Sequence, residues 1–146
     1  MFKGRYLHTL DSKGRVSIPS RFREVLAQHR EETLILTNFD SCLAGFPLDE
    51  WELFEEKIRG LSMLQKDVRA FSRYFFSSAQ ECPVDRQGRI LVPPTLREEA
   101  GLEKEVVLLG VANRIEIWAK ARWDAFHRES TENFEAIATK LSELGL

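Results

Sequence analysis

Two short segments of the chain combine a carboxylate, a glycine and an arginine at the same spacing. They are Asp11–Arg15 and Asp85–Arg89, and both read Asp-x-x-Gly-Arg. Glycine adopts a positive φ without strain, and an aspartate at the start of a turn accepts hydrogen bonds from backbone N–H groups. Both segments are therefore predicted to be tight turns, each with an arginine directly after it.

The chemistry available to Arg15 and Arg89 is recognition of nucleic acid. A planar guanidinium can donate to O6 and N7 of guanine at once, whereas a lysine beside it would mainly hold phosphate. A two-stranded ribbon is narrow enough to enter the major groove, so an arginine next to its turn can reach base edges. By residue type alone, the alternative is a surface arginine paired with a carboxylate.

The remaining reactive side chains do not form a catalytic or metal-binding pattern. Asp11 and Asp85 have no accompanying nucleophile or phosphate-binding glycine loop, and the three histidines are isolated. Cys42 and Cys82 lie forty residues apart without a CxxC pair. We therefore expect no enzyme activity, metal, cofactor or small-molecule substrate, and we expect two buried free thiols.

The charge of the chain is unevenly distributed. The formal net charge is −2, yet residues 1–30 carry seven Lys and Arg against two carboxylates. Residues 40–60 and the segment from residue 124 onward are net acidic. One face can therefore bind phosphate while another repels it, and Lys3 and Arg5 in the basic front are further candidates for DNA contact.

The bulk composition is that of an ordinary globular protein, with 43% hydrophobic and 30% charged residues. The longest apolar run, Val106–Ala112, is too short to cross a bilayer, and the first residues lack a signal-peptide pattern. We therefore expect a cytoplasmic protein that does not insert into membranes.

An internal repeat organises the chain. Asp11–Glu24 returns as Asp85–Glu98 with six of fourteen positions identical, and Leu34–Leu36 returns as Val106–Leu108. The offset falls from 74 to 72 between these blocks, so the second copy is two residues shorter there. One copy of about forty-five residues is too small to bury an adequate core. The two copies should therefore interlock, as the subunits of a homodimer would.

Local patterns predict the same order of elements in both copies. In the first copy we expect strands over Arg5–Leu10, Arg15–Ile18, Thr33–Phe39 and Cys42–Pro47, a short helix after Pro19 and a helix over Leu48–Leu61. A further helix over Lys66–Phe76 links the two copies. In the second we expect strands over Ala79–Val84, Arg89–Val92, Glu105–Ala112 and Arg114–Trp118, a helix near Leu96 and a long helix over Ala119–Leu144. The modules are assigned to residues 5–50 and 78–121, with a helical linker over 51–77 and a C-terminal helix over 122–146.

These features resemble the MraZ family of the SpoVT/AbrB superfamily. The likeness rests on the paired turns, each followed by a Pro-x-x-x-Arg helix start, and on Met1–Arg5, Pro47–Trp51 and Ala100–Val106. It spans essentially the whole chain. It implies an α+β fold with a mainly β core, in which two swapped-hairpin modules form an intramolecular pseudo-dimer flanked by amphipathic helices.

The resemblance also implies a function and a set of residues. It implies a nucleoid-associated transcriptional regulator that represses its own operon, the bacterial division and cell-wall gene cluster. It further implies a ring-like homo-oligomer that binds G-rich direct repeats in double-stranded promoter DNA. Carried over by position, the DNA contacts are Arg15 and Arg89, with Lys13 and Arg86 beside them. The turn scaffold is Asp11, Gly14, Asp85 and Gly88.

Two other functions remain open from the sequence. One is a protein-interaction scaffold, in which the β core drives assembly and the acidic helices recruit partners; the basic front of the chain argues against it. The other is RNA binding, for which no aromatic stacking surface is evident.

For Arg21, Arg23 and Arg97 a solvated or ion-paired helix face is favoured over DNA contact. The tryptophans are interpreted as core or interface anchors: Trp51, Trp118 and Trp123.

Overall fold

The computed structural model describes all 146 residues and contains eight strands and five helices. The strands are β1 (Phe2–Thr9), β2 (Arg15–Ser17), β3 (Thr33–Phe39), β4 (Cys42–Pro47), β5 (Gln80–Pro83), β6 (Arg89–Leu91), β7 (Glu105–Ala112) and β8 (Arg114–Ala119). The helices are α1 (Ser20–Leu26), α2 (Leu48–Arg59), α3 (Lys66–Ser77), α4 (Pro94–Glu99) and α5 (Lys120–Glu143).

The two copies exchange strands. The main sheet has the order β1-β7-β8-β4-β3-β5, with every neighbouring pair antiparallel. Each half of this sheet combines the hairpin of one copy with the first strand of the other copy. β2 and β6, one from each copy, form a separate two-stranded ribbon. The predicted interlocked pseudo-dimer and the α+β class with a mainly β core are therefore confirmed.

The main hydrophobic core lies between the sheet and the ribbon and takes residues from both copies. It contains 18 buried residues, among them Val16 and Ile90, which are paired on the ribbon and are each 1% exposed. Phe22 from α1 and Leu96 from α4 pack into the same cluster. Because each copy supplies about half of this core, neither copy can bury its own apolar residues alone.

The tryptophans lie in two smaller apolar clusters on the outer side of the sheet. Trp51 and Phe75 stack with ring centroids 5.2 Å apart where α2 and α3 cover β3 and β4. Trp118 is buried on β8 and contacts the half-buried Trp123 of α5. Their placement in apolar clusters agrees with the prediction that they are anchors.

The first strand is longer than predicted. It begins at Phe2 rather than Arg5, because β7 offers a partner along the whole length of β1, from Phe2 opposite Ala112 to Thr9 opposite Glu105. Polar residues at its start hid this pairing in the local pattern. By contrast, the bounds of β3, β4 and β7 are those predicted, because each contains at least four consecutive buried residues.

Both cysteines are free and buried, as predicted. Burial raises the pKa of Cys82 to about 11 and raises the pKa of Cys42 further still. Both thiols are therefore protonated at neutral pH and poorly reactive. Separately, none of the helices has the length and apolar character that a membrane crossing requires.

Candidate nucleic-acid interface

The two turns are held by the same set of hydrogen bonds. Oδ1 of Asp11 accepts the backbone N–H groups of Lys13, at 2.9 Å, and Arg15, at 2.8 Å. The N–H of Gly14 donates to the Asp11 carbonyl at 3.0 Å. Asp85 repeats this pattern in the second copy, with its Oδ1 accepting two N–H groups at 2.8 and 2.9 Å. Each aspartate thus fixes the backbone that leads into its arginine.

These bonds favour the ionised carboxylates. The N–H of Arg15 is the main cause that lowers the pKa of Asp11, and the N–H of Arg89 does the same for the pKa of Asp85. Because the folded-state pKa is lower than that of the unfolded chain, the ionised carboxylates stabilise the fold above the usual aspartate range. That contribution is lost as the pH falls through the lowered pKa values.

A glycine in each turn adopts a conformation that other residues rarely take. The φ angles are +88° at Gly14 and +78° at Gly88. Each glycine is also covered by an arginine of the other copy. An alanine Cβ would lie 2.5 Å from Cζ of Arg97 at the first turn and 2.7 Å from Nη1 of Arg23 at the second. The turns therefore need glycine for the backbone angle, whereas the flexible ends of Arg97 and Arg23 can move aside for a small side chain.

A solvated or ion-paired helix face is predicted for Arg23 and Arg97, and Arg23 is exposed, but the sequence did not indicate that each arginine covers the turn glycine of the other copy. Arg23 also donates from Nε to the carbonyl of Ile18 at 3.1 Å. The signal that could have found them is the repeat itself, since Arg23 and Arg97 are one of its six identical positions. A residue retained in both copies on a polar helix face points to a contact between copies.

Arg15 and Arg89 project from the same outer face of the ribbon. In the β2–β6 register Arg15 is opposite Leu91 and Ser17 is opposite Arg89, so the arginines are diagonal neighbours. Diagonal Cα atoms across an antiparallel pair are about 7–8 Å apart. The other face of the ribbon carries Val16, which is buried in the core. One face of the ribbon therefore packs on the core, and the other, with Arg15 and Arg89, faces away from it.

The two turns lie at opposite ends of this ribbon. The N–H of Ile18 donates to the carbonyl of Gly88, and the N–H of Val92 donates to that of Gly14, both at 2.8 Å. The turn of each copy is thus hydrogen-bonded to the residue that directly follows the ribbon strand of the other copy. Ile18 is four positions after Gly14, which at about 3.4 Å per residue puts the two turns about 14 Å apart. That span is comparable to the roughly 12 Å width of the DNA major groove.

The two arginines differ in their side-chain partners. Arg89 donates from Nε to Oδ2 of Asp85 at 3.2 Å, as the ion-pair alternative anticipated. The side chain of Arg15 makes no hydrogen bond or ion pair within the chain. Lys13 and Arg86 are exposed on the two turns. The structure therefore brings four of the predicted cations together at the ribbon.

The structure does not bring Lys3 and Arg5 to this surface. Both are on β1, and Arg5 is six residues before Asp11, which corresponds to about 20 Å of extended strand. The guanidinium of Arg5 lies over the ring of Trp123, 5.4 Å from its centroid. These two cations are therefore separated from the turns, and the ribbon geometry gives their predicted DNA contact no support.

The fold and the site together define a duplicated, strand-exchanged β protein that presents an arginine-bearing turn at each end of one ribbon. No group of three or more His, Cys, Asp or Glu side chains that could hold a metal is present.

Comparison with known proteins places this architecture in a family. The family model described as "MraZ protein, putative antitoxin-like" matches residues 1–74 and 75–144, which correspond to the two copies. The chain is 48% identical to the transcriptional regulator MraZ of Desulfitobacterium hafniense, over all of both chains. It is 47% identical to that of Moorella thermoacetica, also over both full lengths. Identity to the Limosilactobacillus reuteri protein is 46%, over 97% of this chain and 98% of the relative. The chain belongs to the MraZ family.

Proposed function

We propose that this protein is a sequence-specific DNA-binding transcriptional regulator. The observation that carries the proposal is the placement of Arg15 and Arg89 on one outer ribbon face, between two turns of fixed backbone. The names of the relatives support the regulatory role. The regulated site is proposed to be the promoter of its own operon, the division and cell-wall gene cluster, where the protein acts as a repressor associated with the nucleoid.

In this proposal the ribbon enters the major groove and Arg15 reads guanine. Its guanidinium has no partner to give up within the chain, so it can donate to guanine O6 and N7 without breaking an ion pair. Lys13 and Arg86 on the flanking turns contact phosphates and set the orientation. Arg89 has to exchange its bond to Asp85 for one to DNA, so its contribution is smaller.

Affinity in this proposal comes from several subunits acting together. A ring-like homo-oligomer presents one ribbon per subunit to evenly spaced, G-rich direct repeats. Head-to-tail contacts leave every subunit facing the same way around a ring, which matches direct repeats rather than palindromes. Linked contacts raise affinity by roughly 10²–10⁴ over a single contact. A chain with a net charge of −2 can therefore bind DNA through a local basic site.

Binding to defined duplexes tests the proposal. The wild type, Arg15→Ala and Arg89→Ala are titrated by fluorescence anisotropy onto a duplex with G-rich direct repeats and onto a scrambled duplex, across a salt series. Arg21→Ala, an exposed arginine on α1, is the matched control. We expect Arg15→Ala to lose about 5- to 150-fold in specific affinity, since one bidentate pair contributes roughly 1–3 kcal/mol of discrimination. Arg89→Ala should lose less affinity for the G-rich duplex than Arg15→Ala does, and the control should bind as the wild type does.

Two results would reject the proposal. One is a folded Arg15→Ala protein with full affinity and unchanged base preference. The other is an assembled wild type with no salt-dependent binding to any duplex, which would favour the protein-interaction scaffold instead.

A further inference from the structure

The outer face of the ribbon carries four side chains that differ between its two ends. In the β2–β6 register Arg15 is opposite Leu91, and Ser17 is opposite Arg89. Directly opposite Cβ atoms lie about 4.5–5.5 Å apart, so each arginine has one close neighbour on this face. The neighbour of Arg15 is apolar, whereas the neighbour of Arg89 carries a hydroxyl group.

Leu91 is exposed although it is apolar. It is 53% exposed, whereas the adjacent Ile90 is 1% exposed, because successive residues of a strand face opposite sides. At the offset of 74, Leu91 corresponds to Ser17, so the repeated fold does not require an apolar residue at this position. Single exposed leucines are common on protein surfaces, but this one lies beside Arg15. Packing within the chain therefore does not explain why a leucine is placed here.

Leu91 also shares a cleft with both arginines. The cleft has a volume of about 460 Å³, and Arg15, Arg89 and Leu91 line it together with Pro93 and Pro94. One depression on the ribbon surface thus combines two guanidinium groups with apolar side chains. A ligand that enters it can be bound by both kinds of group at once.

The major groove of DNA offers one chemical partner for such a leucine. Base edges in this groove present hydrogen-bond donors and acceptors, and thymine adds an apolar C5 methyl group. A leucine placed against a polar edge removes water without replacing its hydrogen bonds, which costs free energy. Placed against a methyl group, it buries apolar surface on both partners. An apolar side chain on this face therefore favours thymine over the other bases.

We propose that Leu91 is a specificity-determining residue that contacts the methyl group of a thymine close to the guanine bound by Arg15. This inference rests on the proposed function and adds a second base to the sequence that is read. The Cβ atoms of Leu91 and Arg15 are about 5 Å apart, and successive base pairs are about 3.4 Å apart. The contacted thymine therefore lies within two base pairs of the guanine.

The same residue gives the ribbon a direction. If the two copies carried the same outer side chains, a half-turn of the ribbon would present an equivalent face to the DNA, as palindromic sites require. Leu91 and Ser17 make the two ends different, and so does the ion pair that only Arg89 forms. One orientation on the DNA is then preferred. A directional ribbon matches direct repeats, in which every site points the same way.

Duplexes that differ only in methyl groups test the inference. A G-rich repeat duplex is made with thymine within two base pairs of each guanine run, and each thymine is replaced in turn by deoxyuridine, which lacks only the methyl group. The wild type and Leu91→Ser are titrated onto each duplex by fluorescence anisotropy. We expect the wild type to bind about fourfold more weakly when the contacted thymine is replaced, the effect expected for one buried methyl group. Leu91→Ser should bind both duplexes equally.

Two further variants separate a base contact from a general effect on the fold. Leu53→Ser is the matched control, because Leu53 is 54% exposed and lies on α2. It should keep the full preference for thymine. Leu91→Met retains an apolar side chain of similar size and should keep most of that preference. The salt dependence of binding should be the same for the wild type and Leu91→Ser, since no charge is removed.

Two results would overturn the inference. One is a wild type that binds the thymine and deoxyuridine duplexes equally at every flanking position, and the other is a folded Leu91→Ser protein that keeps the preference for thymine. If the wild type in either case still prefers the G-rich duplex to a scrambled one, the inference about Leu91 fails alone. If it shows no sequence preference on any duplex, the proposed function fails as well.

Discussion

Asp11 and Asp85 hold the backbone of the turns that lead into Arg15 and Arg89. Each carboxylate accepts two backbone N–H groups, one of which belongs to the arginine itself. The backbone of each arginine is therefore held by a carboxylate four residues earlier. Binding then requires less ordering of the backbone, which reduces the entropy lost on association.

The lowered pKa values of the two aspartates predict a pH dependence of stability. The wild type should lose stability as the pH falls below about 4, the ordinary aspartate pKa, because protonation removes the acceptors that hold the turns. The double variant Asp11→Asn/Asp85→Asn should be less stable at neutral pH and less sensitive to acid. Thermal unfolding of the two proteins between pH 7 and pH 3 measures the stability at neutral pH and the sensitivity to acid. Equal acid sensitivity of the two proteins would contradict this role of the carboxylates.

Among the elements, β1 and β7 show how closely the copies are joined. Gly110 on β7 lies opposite Gly4 on β1. A Cβ added at Gly110 would collide with the backbone of Phe2 and Lys3. Because backbone atoms cannot move aside as a flexible side chain can, the strand exchange depends on glycine at this position.

Gly110→Ala should therefore weaken the exchange. We expect a loss of about 1–3 kcal/mol or more in the free energy of unfolding, as for other overpacked sites, with faster amide exchange along β1. Gly60→Ala is the control: its φ is −75°, and the nearest atom to an added Cβ is 3.4 Å away. The control should be neutral or slightly stabilising. An equally small effect at Gly110, measured by urea unfolding, would argue against this close approach.

Much of the fold was predictable from the sequence, and the parts that were not depend on contacts between copies. The turns and the strands β3, β4 and β7 follow from local patterns. The start of β1 and the packing of Arg23 and Arg97 over the opposite turns depend on residues more than sixty positions away. The local sequence around Arg5 likewise does not show that Trp123 lies beside it.

Across the whole chain, the duplication produces one interlocked body with a shared core. Val16 of the first copy and Ile90 of the second are paired beneath the arginines, and both belong to the same core. The ribbon exists only when both copies are folded. A change that unfolds either copy is consequently expected to remove the ribbon and the arginine site with it.

This linkage predicts a single unfolding transition. Ile90→Ala should lower the free energy of unfolding by about 2–5 kcal/mol, and Val16→Ala by a smaller amount, since less volume is removed. Both should shift the same calorimetric transition, whichever copy carries the change. Leu7→Ala, at a position 59% exposed, should shift it little. Two separable transitions, only one of them sensitive to Val16→Ala, would show that the copies fold independently.

A double-mutant cycle tests whether Arg15 reads guanine. The wild type and Arg15→Ala are each titrated onto a G-rich repeat duplex and onto the same duplex with 7-deazaguanine, which lacks the N7 acceptor. We expect the modified base to weaken DNA binding by the wild type and to leave binding by Arg15→Ala nearly unchanged, with a coupling energy of about 1–3 kcal/mol. If 7-deazaguanine weakened DNA binding by both proteins equally, with no coupling energy, Arg15 would not be the residue that contacts guanine N7.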